Sequence, residues 1–232
     1  MKWSSLLMVV GVLSFGWQVK KVCLTPHEIA QILPNYSPKY EKIKVCYPQL
    51  KGEKENFQLN QKIRNLVLKD LRNVMDLDLE GPHPTITSQF PATYDATFGL
   101  KIFNNRLLSL FYYVYNFTGG AHGNDYYIVA NWDLKTQKKL KFGDIFEREK
   151  LPQLKRLILS IDQKNGKKIE WVEDFLNPQF VPAVIFEPGK AVFLFSRYEV
   201  SPGYVGSFGI EVPFTKLKTY LTPTYRKVLL GK

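Results

Sequence analysis

The sequence is poor in the residues that build metal sites and nucleophilic catalytic sites. Its 232 residues include two cysteines and three histidines, and the histidines His27, His83 and His122 are far apart along the chain. It contains no Cys-x-x-Cys motif, no His-Glu-x-x-His motif and no Gly-x-Ser-x-Gly nucleophile elbow. We therefore expect no bound metal, no cofactor and a function other than catalysis.

Acidic residues are scarce relative to basic ones. The chain has 32 Lys and Arg against 21 Asp and Glu, which gives a formal net charge of +11. Such a surplus favours an anionic partner, such as nucleic acid, membrane lipid or an acidic wall polymer, although a solvated basic surface would also account for it. The lysines are scattered, and no familiar nucleic-acid-binding motif is present. We therefore expect no nucleic-acid partner.

The amino-terminal segment has the pattern of a secretory signal peptide. A basic start and an apolar run are followed by Ser14 and Gly16, at the −3 and −1 positions of a cleavage site before Trp17. We predict a signal peptide over residues 1–16 and export to the periplasm or the extracellular space. The alternative is an uncleaved anchor over residues 3–19, because about 17 residues are only just enough to span a membrane.

The two cysteines, Cys23 and Cys46, would both remain in the exported chain. An oxidising compartment favours a disulfide between them, and with two cysteines the pairing is unambiguous. Closing a loop of about 23 residues would stabilise the fold by ~3 kcal/mol on the chain-entropy model. Two free thiols are the alternative.

Hydrophobic periodicity predicts a mixture of helices and strands. Apolar residues at spacings of three and four predict helices over about 56–76 and 149–165, with shorter helices from Thr25 and over 169–177. Alternating patterns predict strands within the segments 40–50, 91–105, 106–117, 125–134, 183–200 and 207–213, with hairpin turns at Asn104-Asn105 and at Pro188-Gly189. Segment 135–146 predicts a turn and a short extended piece. Together these elements indicate an α+β fold with antiparallel sheets packed with a few helices.

The breaking sequence Gly-Pro-His-Pro-Thr at 81–85 suggests a division into two parts. We predict a strand–helix subdomain over residues 25–80 and a larger α+β subdomain over residues 85–232. The larger part contains a segment with three glycines, Thr118–Gly123, which we call the glycine block.

The glycine block, Thr-Gly-Gly-Ala-His-Gly, could serve three purposes. Glycines permit backbone angles that are closed to other residues, so the block could be a turn in which His122 secures neighbouring strands. It could contact a ligand. It could also be catalytic, with His122 as the base and Asp125 or Asp133 as its partner. Paired carboxylates for glycoside cleavage stay open, because their spacing is a three-dimensional property.

Aromatic residues surround the glycine block, and alternate residues of a strand face opposite sides. About half should therefore pack in the core, and the rest could form a surface for glycan stacking or a protein interface. The candidate binding residues are Tyr113, Tyr115, Gly119, Gly120, His122, Asn124, Tyr126 and Trp132.

The glycine block and its flanks resemble a bacterial extracytoplasmic domain family. A tyrosine-rich strand leads into Thr118–Gly123, an aromatic strand ends in Asn131–Thr136, and Asp144–Phe146 follows. The family is shared by RsiV-type lysozyme-sensing anti-sigma factors and the N-terminal module of PdaC-like peptidoglycan deacetylases. The resemblance extends over roughly residues 40–221. Departures from the family pattern are Gln137, in place of a turn glycine, and Ser201–Tyr204, in place of a Pro-Tyr-Ala pattern.

The resemblance implies the family's module rather than the whole activities of its longer members. We expect no sigma-binding segment before the apolar run and no deacetylase domain after Leu221. The expected function is an exported, non-catalytic binding module of the cell envelope, whose ligand is peptidoglycan, another anionic wall polymer or a lysozyme-like protein. A polymer ranks first, because a basic lysozyme would repel a chain of charge +11. The alternatives are a small envelope hydrolase centred on His122 and a membrane-anchored structural or assembly protein.

Overall fold

The structure, a computed structural model, describes residues 17–39, 41–51, 57–75 and 89–231. The predicted signal peptide at 1–16 and the predicted break at 81–85, which includes His83, lie outside the described residues. Within the described part of the chain, no helix is long and apolar enough to cross a membrane. The cleaved signal peptide and the uncleaved anchor over residues 3–19 therefore both stay predictions.

The described residues form nine strands, seven α-helices and two short 3-10 helices. The strands are β1 (Gln18–Cys23), β2 (Glu41–Lys51), β3 (Ala92–Phe103), β4 (Leu107–Phe117), β5 (Asn124–Asp133), β6 (Lys138–Leu140), β7 (Ala183–Glu187), β8 (Lys190–Phe195) and β9 (Phe208–Pro213). The α-helices are α1 (Pro26–Ile32), α2 (Phe57–Met75), α3 (Phe142–Ile145), α4 (Leu151–Lys164), α5 (Val172–Leu176), α6 (Phe214–Leu217) and α7 (Pro223–Leu230). The 3-10 helices are Arg148–Lys150 and Gly203–Val205.

The strands form two sheets, which confirms the predicted α+β class. Six strands form one sheet in the order β1-β2-β3-β4-β5-β6, and the other sheet has the order β7-β8-β9. The prediction of antiparallel sheets needs one correction, because β2 pairs with β3 in parallel. Helix α2 lies between these two strands in sequence, and a crossover of this kind lets the second strand run in the same direction as the first.

The chain divides into two compact units. The first contains the described residues up to Gly99 together with Tyr115–Gly123, and the second contains Leu100–Val114 and the chain from Asn124 onwards. The predicted subdomain limits, 25–80 and 85–232, stay predictions.

In the first unit, helix α2 packs against strand β2. The predicted apolar face of α2 is buried at Leu59, Ile63, Val67 and Leu71. At the start of this helix, the Asn60 side chain accepts a hydrogen bond from Leu50 N (2.8 Å) and donates one to Leu50 O (2.9 Å). Asn60 thus satisfies β2 backbone groups in the way that a neighbouring strand would.

Strand β1 was not predicted, and it brings the two cysteines together. It pairs with β2 in antiparallel register from Gln18 opposite Lys51 to Cys23 opposite Cys46. A disulfide joins Cys23 to Cys46, which confirms the predicted bridge over the alternative of two free thiols. Cys46 is buried and Cys23 is exposed.

In the second unit, a core rich in phenylalanine forms around the sheet β7-β8-β9 and helix α4. Two predicted hairpins are confirmed. Asn104 and Asn105 take positive φ angles of 46° and 51° between β3 and β4, and Pro188–Gly189 joins β7 to β8. Where an extended piece was predicted after the turn at 135–137, the short strand β6 is followed by helix α3. Helix α7 was not predicted.

Candidate functional site

Backbone geometry requires the glycines of the glycine block. Gly119 and Gly120 have φ angles of 104° and 101°, which side-chain-bearing residues rarely adopt. Gly123 is required for a different reason, because a Cβ atom there would lie 2.3 Å from Tyr115 Oη. The Tyr115 ring therefore packs directly against the backbone of the block, and the glycines serve the turn itself.

His122 is exposed, and its ring lies against the chain next to it. His122 Nδ1 is 2.9 Å from Gly123 O and donates a hydrogen bond to it in the tautomer that protonates Nδ1. This contact is with the residue that follows His122 in the chain. The geometry holds the ring at the surface of the turn.

Asp125, a candidate catalytic partner, is buried in a dense set of polar contacts. Arg197 Nε donates to Asp125 Oδ1 at 2.5 Å, and Arg197 Nη2 lies at the same distance from that oxygen. Ser207 N donates to Asp125 Oδ2 at 2.9 Å, and Ser207 Oγ donates to Asp125 O at 2.8 Å. Burial alone would raise the pKa of Asp125, but the hydrogen bonds from Ser207 and Arg197 outweigh it and lower the pKa.

Asp133, the second candidate partner, is held in the same way at the other end of β5. Arg106 Nε donates to Asp133 Oδ2 at 2.9 Å, and Tyr225 Oη donates to the same oxygen at 3.2 Å. The other carboxylate oxygen accepts from Lys135 N at 2.9 Å and Thr136 N at 3.1 Å. Although burial acts to raise it, the pKa of Asp133 is lowered by these hydrogen bonds and by the charge of Arg106. Asp133 therefore shapes the turn that follows β5.

Asp125 and Asp133 cannot act together as a glycosidase pair. They lie near opposite ends of β5, and eight residues of strand extend over about 26 Å. The two carboxyl groups of a glycosidase lie about 5–9.5 Å apart. Both carboxylates are also committed to arginine partners, so the geometry gives them structural roles.

The predicted aromatic and polar binding residues occupy different environments. Tyr113 and Tyr115 are exposed, and Tyr126 is half-buried. Trp132 is only 1% exposed, which places it in the core and away from any surface ligand. Asn124 is half-buried, and its Oδ1 has no hydrogen-bond partner among the described residues.

Sequence reasoning missed a second turn, the segment Ser196–Ser207 between β8 and β9, which we call the tyrosine loop. Tyr198 is 49% exposed, Tyr204 is 79% exposed, and Trp171 from a neighbouring segment is 38% exposed. Tyr198 has a φ angle of 65°, a left-handed conformation that is uncommon for a large side chain. The sequence did contain a signal for this turn. At Ser201–Tyr204 it departs from the family pattern and places a Pro-Gly pair next to an aromatic residue.

No cluster of three or more His, Cys, Asp or Glu side chains suited to a metal occurs in residues 17–39, 41–51, 57–75 and 89–231. The disulfide between Cys23 and Cys46 is typical of proteins outside the reducing cytoplasm. It indicates an extracytoplasmic protein.

Comparison with known families confirms the predicted resemblance to the domain of PdaC-like deacetylases. The family described as Deacetylase PdaC matches residues 35–125, a segment that includes the glycine block. These residues belong to that family. The tyrosine loop lies outside the matched segment.

One curated relative is the peptidoglycan-N-acetylmuramic acid deacetylase PdaC of Bacillus subtilis. It is 25% identical to this chain in an alignment of 189 residues that covers 78% of this chain and 39% of the relative. The chain thus spans about two fifths of the length of the curated relative it matches.

Two solved structures share the fold. A DUF3298 family protein from Pseudomonas aeruginosa has a TM-score of 0.60 and 16% identity, and covers 93% of this chain and 97% of its own. A DUF3298 family member from Bacteroides fragilis has a TM-score of 0.57 and 18% identity, and covers 94% and 98%. At these identities the likeness is one of fold.

Proposed function

We propose that this protein is an exported, non-catalytic binding module of the cell envelope whose ligand is peptidoglycan. The observation that carries the proposal is the commitment of Asp125 and Asp133 to arginine partners at opposite ends of β5. The carboxylates nearest the glycine block in sequence thus build the fold, while tyrosines at its turns remain exposed. This arrangement favours binding over proton transfer.

Two further observations support peptidoglycan as the ligand. The curated relative is named as a deacetylase of a peptidoglycan sugar, and a domain shared with such an enzyme is suited to hold the same polymer. The net charge of +11 also favours an anionic envelope polymer through long-range attraction. A basic lysozyme would meet long-range repulsion from the same charge.

Retention on insoluble peptidoglycan tests the proposal. Purified protein is mixed with peptidoglycan sacculi at low and moderate salt, and the bound fraction is measured after sedimentation, with cellulose as a matched insoluble control. We expect retention on sacculi and not on cellulose, with a part that declines as salt screens the charges. Absence of retention at both salt concentrations would reject peptidoglycan as the ligand, and immobilised lysozyme would then be the next bait.

A further inference from the structure

Three exposed aromatic residues lie on two neighbouring segments of the second unit. Tyr204 Oη donates a hydrogen bond to Glu170 Oε1, and Trp171 follows Glu170 directly in sequence. The Tyr198 ring lies against Gly203, the residue before Tyr204, because a Cβ atom on Gly203 would be 2.3 Å from Tyr198 Oη. We call the surface formed by Trp171, Tyr198 and Tyr204 the aromatic face.

Backbone contacts join the two segments that carry the aromatic face. Glu170 N and Trp171 N both donate to Val200 O, at 3.2 and 3.0 Å. Ser201 Oγ donates to Lys168 O. Residues 168–171 therefore run alongside the tyrosine loop, and the backbone of Trp171 is bonded to the loop that carries the two tyrosines.

The base of the tyrosine loop is fixed by the ion pair between buried Asp125 and partly buried Arg197. Besides Asp125, Arg197 binds inside the loop, since Nη1 donates to Gly203 O at 2.8 Å and its backbone N donates to Ser207 Oγ at 3.0 Å. These contacts hold Tyr198 in its left-handed conformation, which costs about 1–3 kcal/mol for a residue of this kind. A loop that is already held in place with its aromatic rings exposed loses little conformational entropy when a ligand binds.

We propose that the aromatic face binds the glycan strand of peptidoglycan, an inference that rests on the proposed function and names its contact site. The apolar faces of sugar rings stack on exposed tyrosine and tryptophan rings, whose polar ends stay solvated. Glu170 accepts one hydrogen bond from Tyr204 and has a second carboxylate oxygen that can accept from a sugar hydroxyl or an acetamido N–H.

The surroundings of the aromatic face favour a glycan over a protein partner. Charged residues are depleted at the core of a protein interface, where apolar area dominates. The segment that carries Trp171 has exposed charged side chains at Lys167, Glu170, Glu173 and Asp174. Carboxylates and an ammonium group close to exposed rings suit the hydroxyl and acetamido groups of a glycan, which donate and accept hydrogen bonds.

Titration calorimetry with a soluble tetrasaccharide of alternating N-acetylglucosamine and N-acetylmuramic acid tests this site. We expect Trp171→Ala and Tyr204→Ala each to weaken the affinity by about tenfold, as for a central aromatic contact. Tyr204→Phe keeps the ring and loses only the Glu170 bond, so its affinity should stay within about threefold of the unmodified protein. Phe57→Ala, which removes another exposed aromatic ring from the first unit, is the matched control and should leave the affinity unchanged.

Sedimentation with sacculi separates failure of this site from failure of the proposed function. If the unmodified protein is retained and both alanine variants are retained equally well, the aromatic face is rejected while peptidoglycan binding stands. If the unmodified protein is not retained, both proposals fail. If the alanine variants lose binding to immobilised lysozyme but bind the tetrasaccharide normally, a protein occupies the face and the glycan assignment is overturned. Melting temperatures should match throughout, because the substituted side chains are exposed.

Discussion

The glycine block and the tyrosine loop both connect neighbouring strands, but they reach their shapes by different means. The glycine block turns by using residues that tolerate positive φ angles, at Gly119 and Gly120. The tyrosine loop places a tyrosine at a φ angle of 65° and holds it there with the contacts of Arg197. The first turn needs little support from its surroundings, whereas the second depends on the ion pair between buried Asp125 and partly buried Arg197.

This difference bears on where to look for function. A histidine framed by glycines draws attention in a sequence, yet His122 lies exposed with its Nδ1 on the next carbonyl. The tyrosine loop has no comparable motif, but it has backbone strain, a buried anchor and exposed rings. Strain that the surrounding structure maintains is found preferentially at functional sites. The tyrosine loop is thus the stronger candidate for ligand contact.

Removing the anchor of the tyrosine loop should have the largest effect. Asp125→Ala leaves the partly buried Arg197 guanidinium without its carboxylate and removes the acceptor of Ser207 N, so we expect a loss of about 3 kcal/mol in the free energy of unfolding. Urea denaturation measures this. Glu211→Ala, which breaks the more exposed pair with Lys190, is the control and should cost less than about 1 kcal/mol. Equal effects of the two substitutions would contradict the anchoring role of Asp125.

Adding a methyl group at the glycine beneath each tyrosine should distinguish the two turns. Gly203→Ala forces a clash with the Tyr198 ring, whose backbone is held in place, and should cost about 2 kcal/mol. Gly123→Ala should cost about 1 kcal/mol, because Tyr115 lies in the extended backbone of β4, where its ring can take another rotamer. Each glycine substitution is also made together with alanine at its tyrosine, and unfolding is measured for all variants. If the clash is the cause, the second substitution removes most of the cost of the first.

Acidification should weaken the anchor of the tyrosine loop. The folded-state pKa of Asp125 is lowered by the bonds from Ser207 and Arg197, despite the opposing effect of burial. The stabilisation of the fold by ionised Asp125 is therefore fully present above pH values of about 4, the pKa of an aspartate in the unfolded chain. This stabilisation is lost as the pH falls through the lower pKa that Asp125 has in the folded state. The free energy of unfolding, measured by urea denaturation from pH 7 downwards, should decrease once the pH is below about 4. The decrease should be less steep in Asp125→Asn.

Glu199, within the same loop, should give the opposite pH dependence of stability. Burial raises the pKa of Glu199 even though Ser196 N donates a hydrogen bond to it. The contribution of Glu199 to stability is therefore fully present below the pKa that it has in the unfolded chain, and it declines as the pH rises through the folded-state pKa. Glu199→Gln keeps an acceptor for Ser196 N and should improve stability at neutral pH relative to pH 4. A loss of stability at neutral pH would show that the charged form of Glu199 is favoured.

The smallest effect is expected for His122→Ala in the glycine block. Because the ring is exposed, we expect a change of less than about 0.5 kcal/mol in unfolding free energy and unchanged retention on sacculi. If the variant keeps its stability but is no longer retained on sacculi, the ligand site lies at the glycine block. Turnover of muropeptides by the unmodified protein, abolished in the variant, would instead support the hydrolase alternative.

Features set by local sequence were the ones that could be predicted. The apolar periodicity of α2, the Asn104–Asn105 turn and the helix start at Thr25 depend on residues within a few positions of each other. The roles of Asp125 and Asp133 could not be predicted in this way. Asp125 meets Arg197 across 72 residues and Asp133 meets Tyr225 across 92, so the partners are fixed by tertiary structure.

Strand β1 and the aromatic face were missed for similar physical reasons. β1 is a short strand with two consecutive lysines, and its place at the sheet edge depends on pairing with β2. Trp171 was predicted within a helix but lies just before α5, where its backbone N bonds to Val200 O. Exposure of a tryptophan at this position depends on which segment packs beside it.

The disulfide at the end of β1 has a mechanical consequence. A load applied to the chain before Gln18 would act at one end of the antiparallel pair and open the hydrogen bonds of β1 one after another. Opening would stop at Cys23, where the covalent bond to Cys46 transfers the tension to β2. Helix α1 follows the crosslink and would be protected from the pull. The disulfide thus limits the opening of hydrogen bonds under load to strand β1, because Cys23 stays joined to Cys46 after the other pairs of β1 have separated.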